Sequence, residues 1–166
     1  MNNPKSKVVL QLTLLISMLF SSCSKSQTTD PTPIITNTFA KGADVGWLSQ
    51  MEATGYRFYD ADGTEKNGLQ LLKDRGMNTI RLRVFVNPSN DRINGHCSKD
   101  ETVAMAVRAK NLGMRIMIDF HYSDTWADPA HQTKPAAWAN HTFSTLLTDV
   151  YNHTFEVLTA LKTAGV

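Results

Sequence analysis

The stretch RIMIDFHYSDTWADP, residues 115–129, decides how this chain is read. Its first seven residues alternate in character. Ile116, Ile118 and Phe120 fall on one side of an extended strand, and Met117, Asp119 and His121 fall on the other. The same alternation appears in TIRLRVFV, residues 79–86, with Ile80, Leu82 and Val84 on one side and Arg81 and Arg83 on the other. Each strand thus has one side suited to a layer of helices and one side that carries charge. Asp119 and His121 come at the carboxyl end of their strand, followed at once by a loop rich in aspartate and tryptophan.

The punctuation between these strands is repetitive. LKDRGM (72–77), AKNLGM (109–114) and LKTAGV (161–166) each finish a helix-like segment with lysine, then glycine, then an apolar residue. Glycine at that position is what a left-handed helix cap requires. The three glycines are spaced 37 and 52 residues apart, room for a strand, a loop and a helix each time. Ser98 and Glu101 form a capping box that opens a helix running to about Leu112. Leu147, Val150, Tyr151, Leu158 and Leu161 mark a helical stripe in the last segment. Strand–helix alternation implies a parallel sheet, either a barrel or a doubly wound fold. No glycine-rich phosphate loop follows any strand, which counts against the nucleotide-binding version. In a barrel the polar faces point to the axis, and Asp119 and His121 sit on the rim where barrel enzymes place their chemistry.

The bulk numbers narrow the classes. The chain has 166 residues, a formal net charge of +2 and 42% hydrophobic residues, which leaves no electrostatic footprint for nucleic acid. Two cysteines are too few for a disulfide framework. Residues 1–23 carry Lys5 and Lys7, an apolar run of about a dozen residues too short to span a bilayer, and small residues before Cys23. Phe20-Ser21-Ser22-Cys23 resembles a bacterial lipoprotein box, with Cys23 the expected lipidation site; an ordinary cleaved signal is the alternative. Residues 24–38, SKSQTTDPTPIITNT, read as a flexible tether, and folding logic starts at Phe39. The chain is therefore divided into a signal peptide (1–23), a linker (24–38) and a folded part (39–166). Cys97 reads as a structural thiol.

The motifs GADVGWL (42–48), IRLRVFVNP (80–88) and IDFHYSDTWADPAHQTKPAAW (118–138) resemble the first three strand motifs of the bacterial and fungal endo-β-1,4-galactanases, glycoside hydrolase family 53. The third motif is long and specific. Family members usually carry tryptophan where this chain has Phe85. The resemblance implies an α/β fold, a (β/α)8 TIM barrel, of which about the first three βα units are present. It implies hydrolysis of β-1,4-galactan, the side chain of pectic arabinogalactan, with retention of configuration. Retention uses two carboxyl groups about 5–5.5 Å apart, an acid/base and a nucleophile. In the family these are glutamates at the ends of strands four and seven, which places both beyond Val166. A complete barrel takes about 250 residues, and the part after Thr38 supplies roughly half of that. The chain is thus expected to be an amino-terminal fragment, inactive by itself.

The expected site residues are supporting ones. By the resemblance, Arg81 sits beside the nucleophile and holds it ionised; a structural ion pair is the other reading. Arg83 is either part of that site or only structural. His121 matches a histidine near the cleaved sugar, able to hydrogen-bond a hydroxyl. Asp119 shares its face and could orient it or an arginine. Asp44, ending strand one, is either a polar group on the inner rim or a loop-capping aspartate. Trp126 offers a flat face for sugar C–H groups. Tyr122, Asp124 and Asp128 either hydrogen-bond substrate or set the loop conformation. Trp138 reads as packing. His131, His141 and His153 fit no metal spacing and are expected on the surface. No cofactor and no metal are implied for the chemistry. A monomer is expected, secreted across the inner membrane and held by its lipid anchor at the outer membrane or cell surface. A glycosidase of the same clan acting on mannan or β-glucan, and a non-catalytic glycan-binding lipoprotein, are the competing functions.

Overall fold

A computed structural model of the chain describes residues 39–92 and 95–166. The expected signal peptide with Cys23 and the linker to residue 38 lie outside the described residues. The order of elements is β1 (Gly42–Asp44), α1 (Leu48–Ala53), β2 (Phe58–Tyr59), β3 (Glu65–Lys66), α2 (Gly68–Asp74), β4 (Thr79–Val84), α3 (Lys99–Asn111), β5 (Arg115–Phe120) and α4 (Phe143–Thr163), with a 3-10 turn at Ala136–Trp138 before α4. Three strands form a parallel sheet in the order β1-β4-β5. The register sets Asp44 beside Arg81 and Arg83 beside Asp119. β2 and β3 form a separate antiparallel hairpin.

The outer side of the sheet is the core. Ile80, Leu82 and Val84 of β4 pack with Leu48, Leu69, Met105, Ala106, Ala109, Val157 and Leu161 from the helices. Each fully buried aliphatic side chain of this kind stabilises by roughly 1.5–3 kcal/mol relative to exposure. One capping box contributes about 1 kcal/mol, so packing holds the fold and capping sets where helices start. The expected box is present: the Ser98 hydroxyl accepts from the Glu101 amide, and Glu101 accepts from the Ser98 amide at 3.1 Å. α3 runs to Asn111, as its spacing predicts.

The three helix-ending glycines all adopt positive φ: +85° at Gly76, +67° at Gly113 and +76° at Gly165. A second regularity appears with them. A Cβ at Gly113 would come within 4.0 Å of Lys73 Nζ, and one at Gly165 within 3.1 Å of Lys110 Nζ. The last-turn lysine of one unit therefore reaches the end of the next unit's helix, where a cation favours the exposed carbonyls. Gly42 answers a different demand. A Cβ there would lie 2.6 Å from the Thr79 carbonyl oxygen, so β1 can pair this closely with β4 only without a side chain.

α4 forms where the stripe predicts, but its phase differs. The buried line is His153, Val157 and Leu161. Leu147, Tyr151 and Leu158 of the expected stripe are at least half exposed, and with Phe143 and Phe155 they make an outward apolar face. His153 was expected on the surface and is instead buried, ringed by Phe120, Tyr122 and Trp138 with centroids 6.1–6.3 Å away. The sequence reading also left out α1 and the hairpin. The hairpin turn carries its signal in Asp60-Ala61-Asp62-Gly63: Gly63 has φ +83°, and Asp60 is drawn down to about 2 by its hydrogen bond from Lys66.

Candidate active site

Strand alternation delivers the polar side chains to the face opposite the core, and a chain of hydrogen bonds links them. Arg81 uses its planar fork on two carboxylates: Nη1 donates to Asp44 Oδ2 at 2.7 Å and Nη2 to Asp119 Oδ2 at 2.5 Å. Asp119 Oδ2 also meets His121 Nε2 at 2.8 Å. The other ring nitrogen, Nδ1, accepts the Ala127 amide at 3.3 Å. A backbone N–H can only donate, so Nδ1 carries no proton and the ring donates through Nε2. Asp119 thus orients both the arginine and the histidine. His121 thus links Asp119 to the 122–129 loop.

Asp44 satisfies both of its readings. Its Oδ1 accepts the Gly46 amide at 2.9 Å, a loop-capping bond, while Oδ2 faces Arg81. Its Oδ1 also lies 3.4 Å from Arg83 Nη2. Arg83 is only 3% exposed, and its Nε and Nη1 have no hydrogen-bond partner. Instead the guanidinium carbon sits 4.6 Å from the Trp47 ring centroid and 4.7 Å from that of Trp126. The two indoles are near-parallel, at 28° with centroids 6.1 Å apart, and each is about half exposed. Trp47 was missed in the sequence reading, where it stood only inside a quoted motif. The signal that could have found it is its position just past a strand's carboxyl end.

The loops around this centre are built by the remaining candidates. Asp124 accepts the amides of Asn87 at 3.0 Å and Ala136 at 2.9 Å, one on each carboxylate oxygen, and so ties three segments together. Asp128 accepts from Ala130 and His131, and the Ala130 amide in particular holds its carboxyl below the usual range. Tyr122 bonds Thr154 of α4 through its hydroxyl at 2.8 Å. Phe85 is buried and meets His121 edge-on at 5.5 Å. Trp138 is buried packing, as expected. Cys97 is buried too; its thiol donates to the Gly46 carbonyl, and burial pushes it up to about 11. Among the described residues, no group of three or more His, Cys, Asp or Glu is placed to hold a metal ion.

An open cavity of about 570 Å³ lies over this face, lined by Arg81, Asp119, His121, Tyr122, Trp126 and Lys134 among others. Its carboxylates are already committed to Arg81 or to backbone amides. The four glutamates of the chain are committed elsewhere: Glu52 to Arg108, Glu65 to Arg57, Glu101 to Ser98 and His96, and Glu156 toward Lys99. What these residues assemble is a rigid, charged wall at strand ends, with exposed aromatic surface beside it. The Arg81 guanidinium and the Trp126 indole face share this open groove.

Comparison with known proteins agrees. Residues 40–166 match the family model described as glycosyl hydrolase family 53. The chain belongs to glycosyl hydrolase family 53. It is 41% identical over 128 residues to the arabinogalactan endo-beta-1,4-galactanase of Humicola insolens, covering 76% of this chain and 36% of that protein. It is 37% identical over 132 residues to the endo-beta-1,4-galactanase of Bacillus subtilis, covering 77% of this chain and 31% of that one. The solved GH53 catalytic domain of Ignisphaera aggregans superimposes with a TM-score of 0.71 at 36% identity, over 82% of this chain and 39% of that chain. The chain thus spans about a third of the length of the curated relatives it matches. Its three parallel strands with their helices are the first βα units of a (β/α)8 barrel.

Proposed function

We propose that these residues form the supporting half-site of an endo-acting glycosidase that cleaves β-1,4-galactosidic bonds in galactan and arabinogalactan with retention. The reading rests on one observation: in a family 53 chain, Arg81 of β4 is clamped by Asp44 and Asp119, near the carboxyl ends of β1 and β5, and backed by His121. Retention calls for a carboxylate nucleophile and a carboxylic acid. In this reading two glutamates from later strands supply them. A nucleophile seated against Arg81 is kept ionised, because a permanent cation nearby favours the charged form. Asp44 and Asp119 stop the fork from turning, so that its field is in place before the reaction begins. Trp126 receives the apolar face of a galactose unit.

The test is release of reducing ends from β-1,4-galactan by the protein made from the complete open reading frame, with mannan and mixed β-glucan as comparators. Activity on galactan alone supports the reading. Activity confined to mannan or β-glucan gives the site to a different substrate, and binding without turnover gives it to a glycan-binding protein. We further propose that Cys23 is acylated and residues 24–38 tether the enzyme to a membrane surface, on the strength of the box at residues 20–23. Loss of labelled palmitate in Cys23→Ser is the expected result.

A further inference from the structure

The Arg83 arrangement is costly and specific. A guanidinium that is 3% exposed has two nitrogens, Nε and Nη1, without partners, and taking such a charge out of water is unfavourable unless something replaces the water. The π faces of Trp47 and Trp126 replace part of it. The surroundings leave the guanidinium no other place. A Cβ on Gly46 would lie 2.7 Å from Arg83 Nε, the Thr102 hydroxyl holds the Arg83 carbonyl at 3.1 Å, and Cys97 bonds the Gly46 carbonyl. His96 and Cys97 lie beside these contacts at φ +63° and +58°, an uncommon conformation for residues other than glycine.

The result is two large indoles that stay about half exposed and yet are fixed from beneath. Fixed apolar surface is what binding favours, since no rotamer freedom remains to be lost. The pair also joins two hollows. Trp126 lines the 570 Å³ cavity of Arg81 and Asp119. Trp47 lines a second cavity of about 590 Å³, with Gln50, Met51, Thr54, Tyr56 and Arg92 around it. An exposed aromatic ring beside amide, hydroxyl and guanidinium groups is the mixture a sugar ring needs, a flat face for its C–H groups and polar groups for its hydroxyls.

We propose that Trp47 and Trp126 form one stacking platform for successive units of a β-galactan chain, that the cavity beyond Trp47 is a further sugar subsite, and that Arg83 is the positioning residue that sets the platform. The proposal rests on the galactanase reading for its choice of sugar. Its test uses the protein from the complete open reading frame, wild type, Trp47→Ala, Trp47→Phe and Arg83→Lys, on β-1,4-galacto-oligosaccharides of graded length. Trp47→Ala is expected to lower kcat/KM about tenfold on the longest substrates, mostly through KM, and progressively less on shorter ones. Trp47→Phe, which keeps a flat ring and the fold, shows the same length dependence at smaller size. Arg83→Lys keeps a charge but loses the planar stack, and it reproduces the length-dependent loss. A loss equal at every length, or none, overturns the platform. Quenching of tryptophan emission by the same oligosaccharides separates the two readings. Quenching in the wild type that Trp47→Ala removes, without any hydrolysis, ends the galactanase reading and keeps the platform. Galactan hydrolysis with quenching unchanged in Trp47→Ala does the reverse.

Discussion

Arg81 and Arg83 stand two residues apart on the same face of one strand, yet their surroundings are opposite. Arg81 is open, its side chain 43% exposed, and both ends of its fork rest on carboxylates. Arg83 is closed in, with one long contact to Asp44 and two indoles in place of counter-ions. One guanidinium faces the open groove. The other is packed beneath two rings. Strand alternation puts both side chains on the inner face, but it does not say which is which. Gly46 does, by leaving the room that Arg83 fills.

The sharpest test of that division is Arg81→Ala. On the proposed reaction it lowers kcat about 10²- to 10³-fold, the cost of losing one preorganised charge at the reacting centre. Its melting temperature moves little, because the guanidinium is exposed and exposed pairs stabilise weakly. Unfolding with proportionate loss of activity would make Arg81 the same kind of residue as Arg83 and break the comparison.

Gly46→Ala tests the closed half. The new methyl overlaps a guanidinium that has nowhere to go, so about 2–3 kcal/mol of stability is lost by chemical denaturation. In an Arg83→Met background most of that loss disappears, since a flexible uncharged chain can yield. A double-variant loss equal to the sum of the two single losses would show that Arg83 does not fill that space rigidly.

His153 offers a milder contrast, a buried basic group able to shed the charge that Arg83 must keep. Burial lowers its tendency to take up a proton, with Lys99 acting in the same direction and Glu156 against it. Above the ordinary value of about 6.5 the ring is neutral folded or unfolded, and stability is unaffected. As pH falls from there toward the lowered folded value, only the unfolded chain takes up the proton, and stability is lost. Thermal melts between pH 7.5 and 5 are expected to show this slope, and His153→Leu to flatten it. The smallest effect is expected outside both halves. Arg108→Ala breaks the two-pronged contact with Glu52, at 2.7 and 2.8 Å, for about 1 kcal/mol and leaves the proposed reaction unchanged.

How far the sequence was legible follows the same line. The β4 and β5 strands, the α3 box and the three terminal glycines are local devices, and local pattern was enough to find them. Arg81, Asp119 and Asp44 were legible because alternation and register bring them together. The closed half was not, because it depends on contacts between segments far apart in the chain: Trp47 with Trp126, Cys97 with Gly46, Arg83 with both indoles. The buried line of α4 was only partly legible: Leu161 belongs to the apolar stripe, but His153, expected on the surface, lies among Phe120, Tyr122 and Trp138, contacts made by distant segments.

The repeated helix endings have a consequence for how such a chain can be rearranged. Gly76, Gly113 and Gly165 stop their helices in the same left-handed way, and lysines from the preceding unit reach two of these stops. A segment cut at one of these glycines carries the same connector as its neighbours and presents the same electrostatic socket to whatever adjoins it. These positions are therefore the natural crossover points for recombining units between relatives. A chimera joined there exchanges a whole strand–loop–helix, rim residues included, while both splices fall at the end of the sheet away from Asp44 and Asp119.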